Sequence, residues 1–183
     1  MKESFPKENE GASNELSKEL LRMFDEDQAI RRSPTSAMLE IDKRNTARVK
    51  EIVATSGWPT ISKYGEQAAH AAWLLVQHAD NDPQFQGKAL ALMRDLPDGE
   101  VSRQDIAYLE DRVRVNTGRP TLYGTQFYND SQGVFGPHPI EGRDTLDERR
   151  AAVGLGPFAE YEKEIRELDK AHQERVRAAD EDR

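Results

Sequence analysis

The fold of this 183-residue chain is constrained most by one helix that carries apolar side chains on almost every face. The segment 64–79 has helix-forming composition, and the run AAHAAWLLV inside it leaves almost no polar face. A helix that is apolar all round is surrounded by other elements in a folded protein. We therefore predict a mainly α fold, a single-domain helical bundle around a buried central helix at about 62–79.

Other helices are predicted on both sides of the central one, from the helical spacing of apolar residues and from helix start signals. They cover residues 15–32, about 34–55, about 83–96, 102–116, 144–153 and 157 to about 180. Residues 119–143 lose the helical period and are predicted as an irregular insertion with a short extended segment at 121–128. Loops of this length inside a compact domain are uncommon and are often functional.

The domain organisation follows from this pattern of elements and from charge. We predict a disordered tail at 1–12, amphipathic amino-terminal helices at 13–56, a motif-bearing helical core at 57–160 and a charged carboxy-terminal helix at 161–183. The last helix is so charged that we expect its end to project into solvent. All of these segments are expected to form one domain overall.

Charge and composition exclude several function classes. Twenty-six basic against 34 acidic residues give a net charge of -8, which disfavours binding to nucleic acid or to an anionic membrane surface. The absence of cysteine excludes thiolate nucleophiles, disulfides and Cys-based metal sites. The longest apolar run, 71–76, is far too short to span a membrane. We expect a soluble, cytoplasmic protein of bacterial type.

The central helix carries the first candidate site residues. Gln67, His70, Leu74 and Gln77 lie on one stripe of its surface, and His78 follows at its carboxy-terminal end. We predict that His78 is an acid or base in a cleft and that Gln77 binds a ligand. The alternative is that both side chains satisfy backbone carbonyls at the helix end.

The next candidates lie on the 102–116 helix and in the insertion. Asp111 could orient an imidazole or act as a base, and Arg112 could hold an anion, or the two could form ordinary structural ion pairs. Tyr123 and Gln126, in the sequence YGTQ, supply a hydroxyl and an amide beside a glycine that allows close approach. At least one residue of the Arg149-Arg150 pair is expected to be solvated.

Standard cofactor and metal motifs are absent from the sequence. It contains no HExxH, P-loop, GxSxG or GxGxxG pattern, so we predict no cofactor. His70 and His78 are separated by about 12 Å along an ideal helix, which is too far to share one ion. We predict no metal site, although a metal held by His78 and Asp111 with help from His138 stays open.

Several short motifs occur together in 50–160: GWPT, AAWLLVQHAD, YLEDRV, YGTQ and the RR..VGL stretch. In this order they resemble an uncharacterised bacterial domain family without an established activity. The resemblance implies that the polar residues of these motifs form the family's signature; they are Gln77, His78, Asp111, Arg112, Tyr123 and Gln126. Trp58 of the GWPT turn completes the predicted ligand-binding set.

Two functions from different classes agree with these observations, and the sequence does not decide whether the protein is an enzyme. The first is a small ligand-binding domain or an enzyme of hydrolase or lyase type. It acts on a small polar or anionic substrate through His78 and Asp111. The second is a non-catalytic interaction or accessory protein of immunity-like type. In it, the QHAD, DR and YGTQ residues form a structural hydrogen-bond network, and a protein is the partner.

Overall fold

The computed structural model describes residues 8–32 and 35–181, with side chains described over 13–32 and 35–178. These ranges contain eight α-helices and one two-stranded sheet, which confirms the mainly α fold. The chain forms two compact units, Met1–Leu109 and Glu110–Arg183, and the boundary falls inside a helix, where the sequence gives no sign of it. Among the described residues, no helix is both long enough and apolar enough to cross a membrane.

The first unit is built from helices that match the predicted ones to within a few residues at most ends. They are α1 (Glu8–Arg32), α2 (Met38–Ser56), α3 (Ile61–Tyr64), α4 (Glu66–Gln77), α5 (Pro83–Arg94) and the first half of α6 (Arg103–Asn116). Residues 8–12, predicted as part of a disordered tail, form the start of α1. Residues 1–7 of that predicted tail lie outside the described residues.

The predicted central helix is two helices in the structure. Gly65 has a φ of +85°, in the left-handed region, and it separates the single turn of α3 from α4. The burial of α4 agrees with its composition, since Ala71, Ala72 and Val76 have no exposed surface. Helices α1, α2, α3 and α5 all pack against α4, so it is the centre of this unit.

The second unit joins an irregular segment to two helices. After the end of α6 come the strands β1 (Phe127–Asn129) and β2 (Phe135–Pro137), which form an antiparallel hairpin. A single 3-10 turn at Arg143–Thr145 leads into α7 (Leu146–Ala152), and α8 (Phe158–Glu181) follows. The predicted extended segment at 121–128 is therefore strand only from Phe127 onward. Side chains 170–178 of α8 are all exposed.

Candidate functional site

His78 follows the last residue of α4, and its ring is held by a carboxylate on α1. The Nδ1 atom of His78 lies 3.0 and 2.9 Å from the two carboxylate oxygens of Asp27, although 51 residues separate them in sequence. The Asp27 side chain is 1% exposed and that of His78 is 16% exposed. The carboxylate that orients this imidazole is thus Asp27, whereas the sequence analysis assigned that role to Asp111.

Arg31 and Asp42 complete a charged group that we call the Asp27 cluster: Asp27, Arg31, Asp42 and His78. The Nε and Nη2 atoms of Arg31 donate to Asp27 at 3.2 and 3.1 Å, and Nη2 also contacts Asp42 at 2.6 Å. Because Asp27 and Arg31 lie on α1 and Asp42 on α2, the cluster joins both helices to the end of α4. Buried charges are tolerated in proteins only when they are paired in this way.

The protonation of the cluster follows from its geometry. Burial alone would raise the pKa of Asp27, but hydrogen bonds from His78 and Arg31 outweigh burial and hold this pKa below its ordinary value. The ionised Asp27 carboxylate faces Nδ1, and Arg31 Nε also lies 2.9 Å from this atom, so the donor and acceptor roles depend on the tautomer of the ring. In the Nδ1–H tautomer, which allows the ring to donate to Asp27, the lone pair is on Nε2.

The second ring nitrogen of His78, Nε2, takes no part in the contacts of the Asp27 cluster. Within the described part of the chain, no residue forms a hydrogen bond with Nε2, and the ring is partly exposed. The arrangement of a buried carboxylate on Nδ1 and a free Nε2 is the one that suits an imidazole to take and return protons. Asp27, one helical turn before Arg31, was missed because charged residues are common on the polar faces of amphipathic helices.

The carbonyl groups at the end of α4 are satisfied by a different side chain. Gln86 of α5 donates from Nε2 to the backbone oxygens of Val76 and Gln77 at 3.1 and 3.3 Å. The alternative role considered for Gln77 and His78, as local caps, is thus filled by Gln86. Gln77 is 4% exposed, and among the described residues nothing bonds to its Oε1 atom.

Asn45 is a second buried polar group beside the cluster. It lies on α2 three residues after Asp42, so the two side chains share one face of the helix. Asn45 is 2% exposed, and neither polar atom of its amide has a hydrogen-bond partner within the described ranges. Most buried amides in proteins are hydrogen-bonded, so Asn45 has donor and acceptor capacity that no described residue uses.

Asp111, in the second unit, organises the irregular backbone that follows α6. Its side chain is fully buried, and it accepts hydrogen bonds from the backbone N–H groups of Leu122, Tyr123 and Thr125 at 2.6 to 3.1 Å. The Thr125 hydroxyl donates to it at 3.0 Å. Burial raises the pKa of Asp111, and these donors oppose that rise. Both oxygens of this carboxylate are therefore used inside its own unit.

Arg149 and Arg150 donate hydrogen bonds to backbone carbonyl groups of the same segment. Arg149 donates from Nε to the Leu122 carbonyl at 3.0 Å, and Arg150 donates from Nη1 to the Tyr123 carbonyl at 2.6 Å. Arg150 is 1% exposed, so its guanidinium is a buried structural group. Neither arginine is simply solvated, because irregular backbone needs side chains to satisfy its carbonyls.

Gly124 shows how tightly the YGTQ segment is packed. It has a φ of +67°, and a Cβ atom built there would lie 2.7 Å from the Phe158 ring. The next residues are equally enclosed: Gln126 is 6% exposed and donates from Nε2 to the Thr125 hydroxyl at 3.0 Å. Only glycine allows this conformation and this close approach to the ring.

The remaining predicted ligand contacts are divided between the units. Trp58 belongs to the first unit and is 5% exposed, and among the described residues its indole N–H has no partner. Arg112 and Tyr123 belong to the second unit and are each partly buried. Burial and the charge of Arg112 lower the pKa of His138. The ligand-binding role of these residues stays a prediction.

A second histidine–carboxylate pair lies in the first unit, and the sequence analysis did not select it. The Nδ1 atom of His70 is 3.0 and 3.2 Å from the oxygens of Asp105, beside a cleft of about 430 Å³. Ser102 caps α6 by accepting from the Asp105 backbone at 3.3 Å, which leaves the Asp105 carboxylate free for His70. The sequence signal that could have identified this pair was Asp105, an acidic residue at the third position of α6.

The titration of His70 is a direct test of this pair. The hydrogen bond that His70 donates to Asp105 raises the pKa of His70 above its ordinary value of 6.5, against the effect of burial. We expect the ring to titrate above that value in an NMR pH series, and Asp105→Asn to bring the pKa down. A His70 ring that titrates unchanged in Asp105→Asn would contradict the pairing.

Metal ligands do not converge within the described part of the chain. Among the described residues, no group of three or more His, Asp or Glu side chains is placed to hold a metal ion. The Asp27 cluster contributes one imidazole and two carboxylates, and Arg31 already occupies both of the carboxylates. The chemistry open to the cluster from its own residues is therefore proton transfer and hydrogen bonding.

Comparison with known proteins gives one match. A model described as "Family of unknown function (DUF6624)" matches residues 14–177 of this chain. No curated protein and no solved structure matches it. The matched range contains both histidine–carboxylate pairs and the Asp111 segment.

Proposed function

Because the chain belongs to this family of unknown function, its activity has to be inferred from the site, and we propose acid–base chemistry at His78. In this proposal His78 is the acid and base, Asp27 is the positioning residue, and the reaction is a hydrolysis or an elimination on a small polar or anionic substrate. The protein works in the cytoplasm of a bacterium, as the sequence analysis expects.

The observation that carries the proposal is the contact between the buried Asp27 carboxylate and Nδ1 of His78, at 2.9 and 3.0 Å. It fixes the ring orientation and directs the basic lone pair to Nε2, the atom that no described residue bonds. Orientation of an imidazole by a buried carboxylate is a recurring requirement of general base catalysis.

The fixed charges of the cluster support the proposed reaction at His78. Asp27 and Asp42 contribute two negative charges, Arg31 contributes one positive charge, and a neutral His78 leaves one negative charge in excess. When Nε2 takes a proton from a substrate or from water, the cluster becomes neutral. The imidazolium formed during the reaction is thus stabilised by groups already in place, which is how fixed charges promote a charge-developing step.

A non-catalytic interaction protein is the second candidate function, and the second unit favours it. Asp111 and Arg150 are buried and engaged with backbone groups there, as a structural network requires. In this candidate the acidic surface of the chain meets a basic protein partner. His78 would then stabilise the first unit and take no part in a reaction.

A thermal-shift screen separates the two candidates. Small amides, esters, sugars, amino acids and carboxylic acids are tested against the parent protein, His78→Gln and the matched control His70→Gln. We expect compounds that raise the melting temperature of the parent and of His70→Gln but not of His78→Gln. Such compounds are then tested for turnover.

An NMR readout makes the test independent of the screen. The ring nitrogen shifts of His78 should show the Nδ1–H tautomer in the parent protein and a mixture of tautomers in Asp27→Asn. Compounds that stabilise His78→Gln as well as the parent would refute a role of His78 in binding. An unchanged tautomer in Asp27→Asn would refute the positioning role of Asp27.

A further inference from the structure

A cleft separate from the Asp27 cluster lies along the amino-terminal half of α1, and we call it the α1 cleft. It has a volume of about 560 Å³, within the range of small-molecule sites. Residues of α1, α2 and α3 line it, with Leu16 as an apolar contact and Ser13 and Ser56 as hydroxyl groups.

The lining of the α1 cleft is basic, although the protein as a whole is acidic. Four cationic side chains and two carboxylates line it, namely Lys18, Arg22, Arg48 and Lys63 against Glu15 and Glu19. The net charge of the whole chain is -8. A local excess of positive charge on such a surface attracts anions to one place.

Both carboxylates of the cleft are already neutralised by neighbours. Glu15 contacts Lys18 at 2.8 Å, and Glu19 receives a two-pronged contact from Arg48 at 2.6 and 2.9 Å. Arg48 also contacts Glu51 outside the cleft at 2.7 Å. The hydrogen bond from Arg48 is the main reason that the pKa of Glu19 is lowered, so this carboxylate stays ionised and engaged.

Two cations of the cleft are left for a ligand. Among the described residues, Arg22 and Lys63 form no hydrogen bond or ion pair; Lys63 lies over the Tyr64 ring at 5.0 Å, and Arg22 helps to lower the pKa of Glu19. They reach the cleft from α1 and α3. The position of α3 is fixed by the Ser17 hydroxyl, which donates to the Tyr64 carbonyl at 2.9 Å.

Tyr64 adds a hydroxyl group to the lining of the cleft. It lines the cleft and is only 8% exposed, and no residue in the described ranges bonds to its phenolic oxygen. A ligand in the cleft can accept a hydrogen bond from this hydroxyl.

We propose that the α1 cleft binds a small organic anion, whose phosphate or carboxylate group lies between Arg22 and Lys63 and accepts from the Tyr64 hydroxyl. The guanidinium offers a flat pair of donors, the ammonium offers a point charge, and the phenol offers one directed donor. This site does not depend on His78 or on the proposed acid–base function.

Binding of inorganic phosphate and of malonate to the full chain tests the proposal and separates the two anion chemistries. Each anion is titrated into ¹⁵N-labelled protein, and shifts of the amides at 15–22 and 61–64 are followed at low salt. We expect Arg22→Gln and Lys63→Gln each to weaken binding of the preferred anion about tenfold or more, the loss expected for a charge-assisted contact.

Three further variants control this experiment. Tyr64→Phe keeps the ring and should weaken binding several-fold, while Lys43→Gln removes the same charge from an exposed site on α2 and should have no effect. His78→Gln should bind the anion as the parent does. The proposal is overturned if neither anion shifts these amides, or if Lys43→Gln weakens binding as much as the two cleft variants do.

Discussion

Asp111→Ala should lower the free energy of unfolding by about 3 to 5 kcal/mol, the range for removing one partner of a buried charged contact. The substitution leaves three backbone N–H groups and one hydroxyl without their acceptor at a fully buried position. No other regular structure satisfies these donors, because the segment at 122–125 is neither helix nor strand. A buried donor that loses its acceptor keeps its full desolvation cost.

Urea unfolding followed by circular dichroism measures this loss, and hydrogen exchange locates it. The amides of Leu122, Tyr123 and Thr125 should lose most of their protection in the variant, since Asp111 is their acceptor. Protection of α4 in the first unit should change much less. A loss of about 3 to 5 kcal/mol in unfolding free energy, with protection lost mainly at these three amides, would show that Asp111 stabilises the fold of the second unit.

Asp130→Ala is the matched control in the same unit. Asp130 also accepts from two backbone N–H groups, those of Gln132 and Val134, but in the exposed turn between β1 and β2. Water can replace the carboxylate there, so a loss of about 1 kcal/mol or less is expected. If Asp111→Ala costs no more than Asp130→Ala, the framework role of Asp111 is wrong.

The helices could be predicted from the sequence because their information is local. Apolar spacing, caps and glycine or proline stops lie within each segment, and they gave α5 and α6 almost to the residue. The errors fall where local signals compete. Gly65 stands inside an apolar pattern that continues through it, so its φ of +85° and the break before α4 were overlooked.

The partners of the polar residues could not be predicted in the same way, because no periodic pattern records them. Asp27 meets His78 across 51 residues, and in sequence it is one acidic residue among several on a charged helix face. Asp111 was identified as special, but its partners are backbone N–H groups, which every residue except proline carries. The sequence therefore singled out the important residues in part and did not reveal their contacts.

Asp27→Asn should also lower the free energy of unfolding strongly, and the size of this loss should depend on pH. The buried Asp27 carboxylate holds Arg31 and His78, so its neutralisation leaves two cationic or donor groups with a weaker partner. We expect a loss of about 3 kcal/mol or more at pH 7. Guanidinium chloride is unsuitable because its salt screens charges, so urea unfolding at several pH values is the measurement.

The sign of the pH dependence follows from the lowered pKa of Asp27 in the folded protein. Such a group stabilises the protein above its unfolded-state pKa, near 3.8, and the stabilisation is lost as the pH falls through the folded pKa. The difference in unfolding free energy between the parent and Asp27→Asn should therefore shrink as the pH falls below about 4.

The effect of Asp42→Asn on the unfolding free energy should change with pH in the opposite direction to that of Asp27→Asn. This variant therefore controls for a general effect of removing a negative charge from the cluster. Burial raises the pKa of Asp42 above its ordinary value, even though Arg31 lies beside it. Its contribution is then largest below the unfolded-state pKa and declines as the pH rises through the folded pKa. Parallel pH profiles for the two variants would contradict the assignment of Asp27 as the ionised centre of the cluster. Opposite slopes would show that Asp27 is the carboxylate around which Arg31 and His78 are organised.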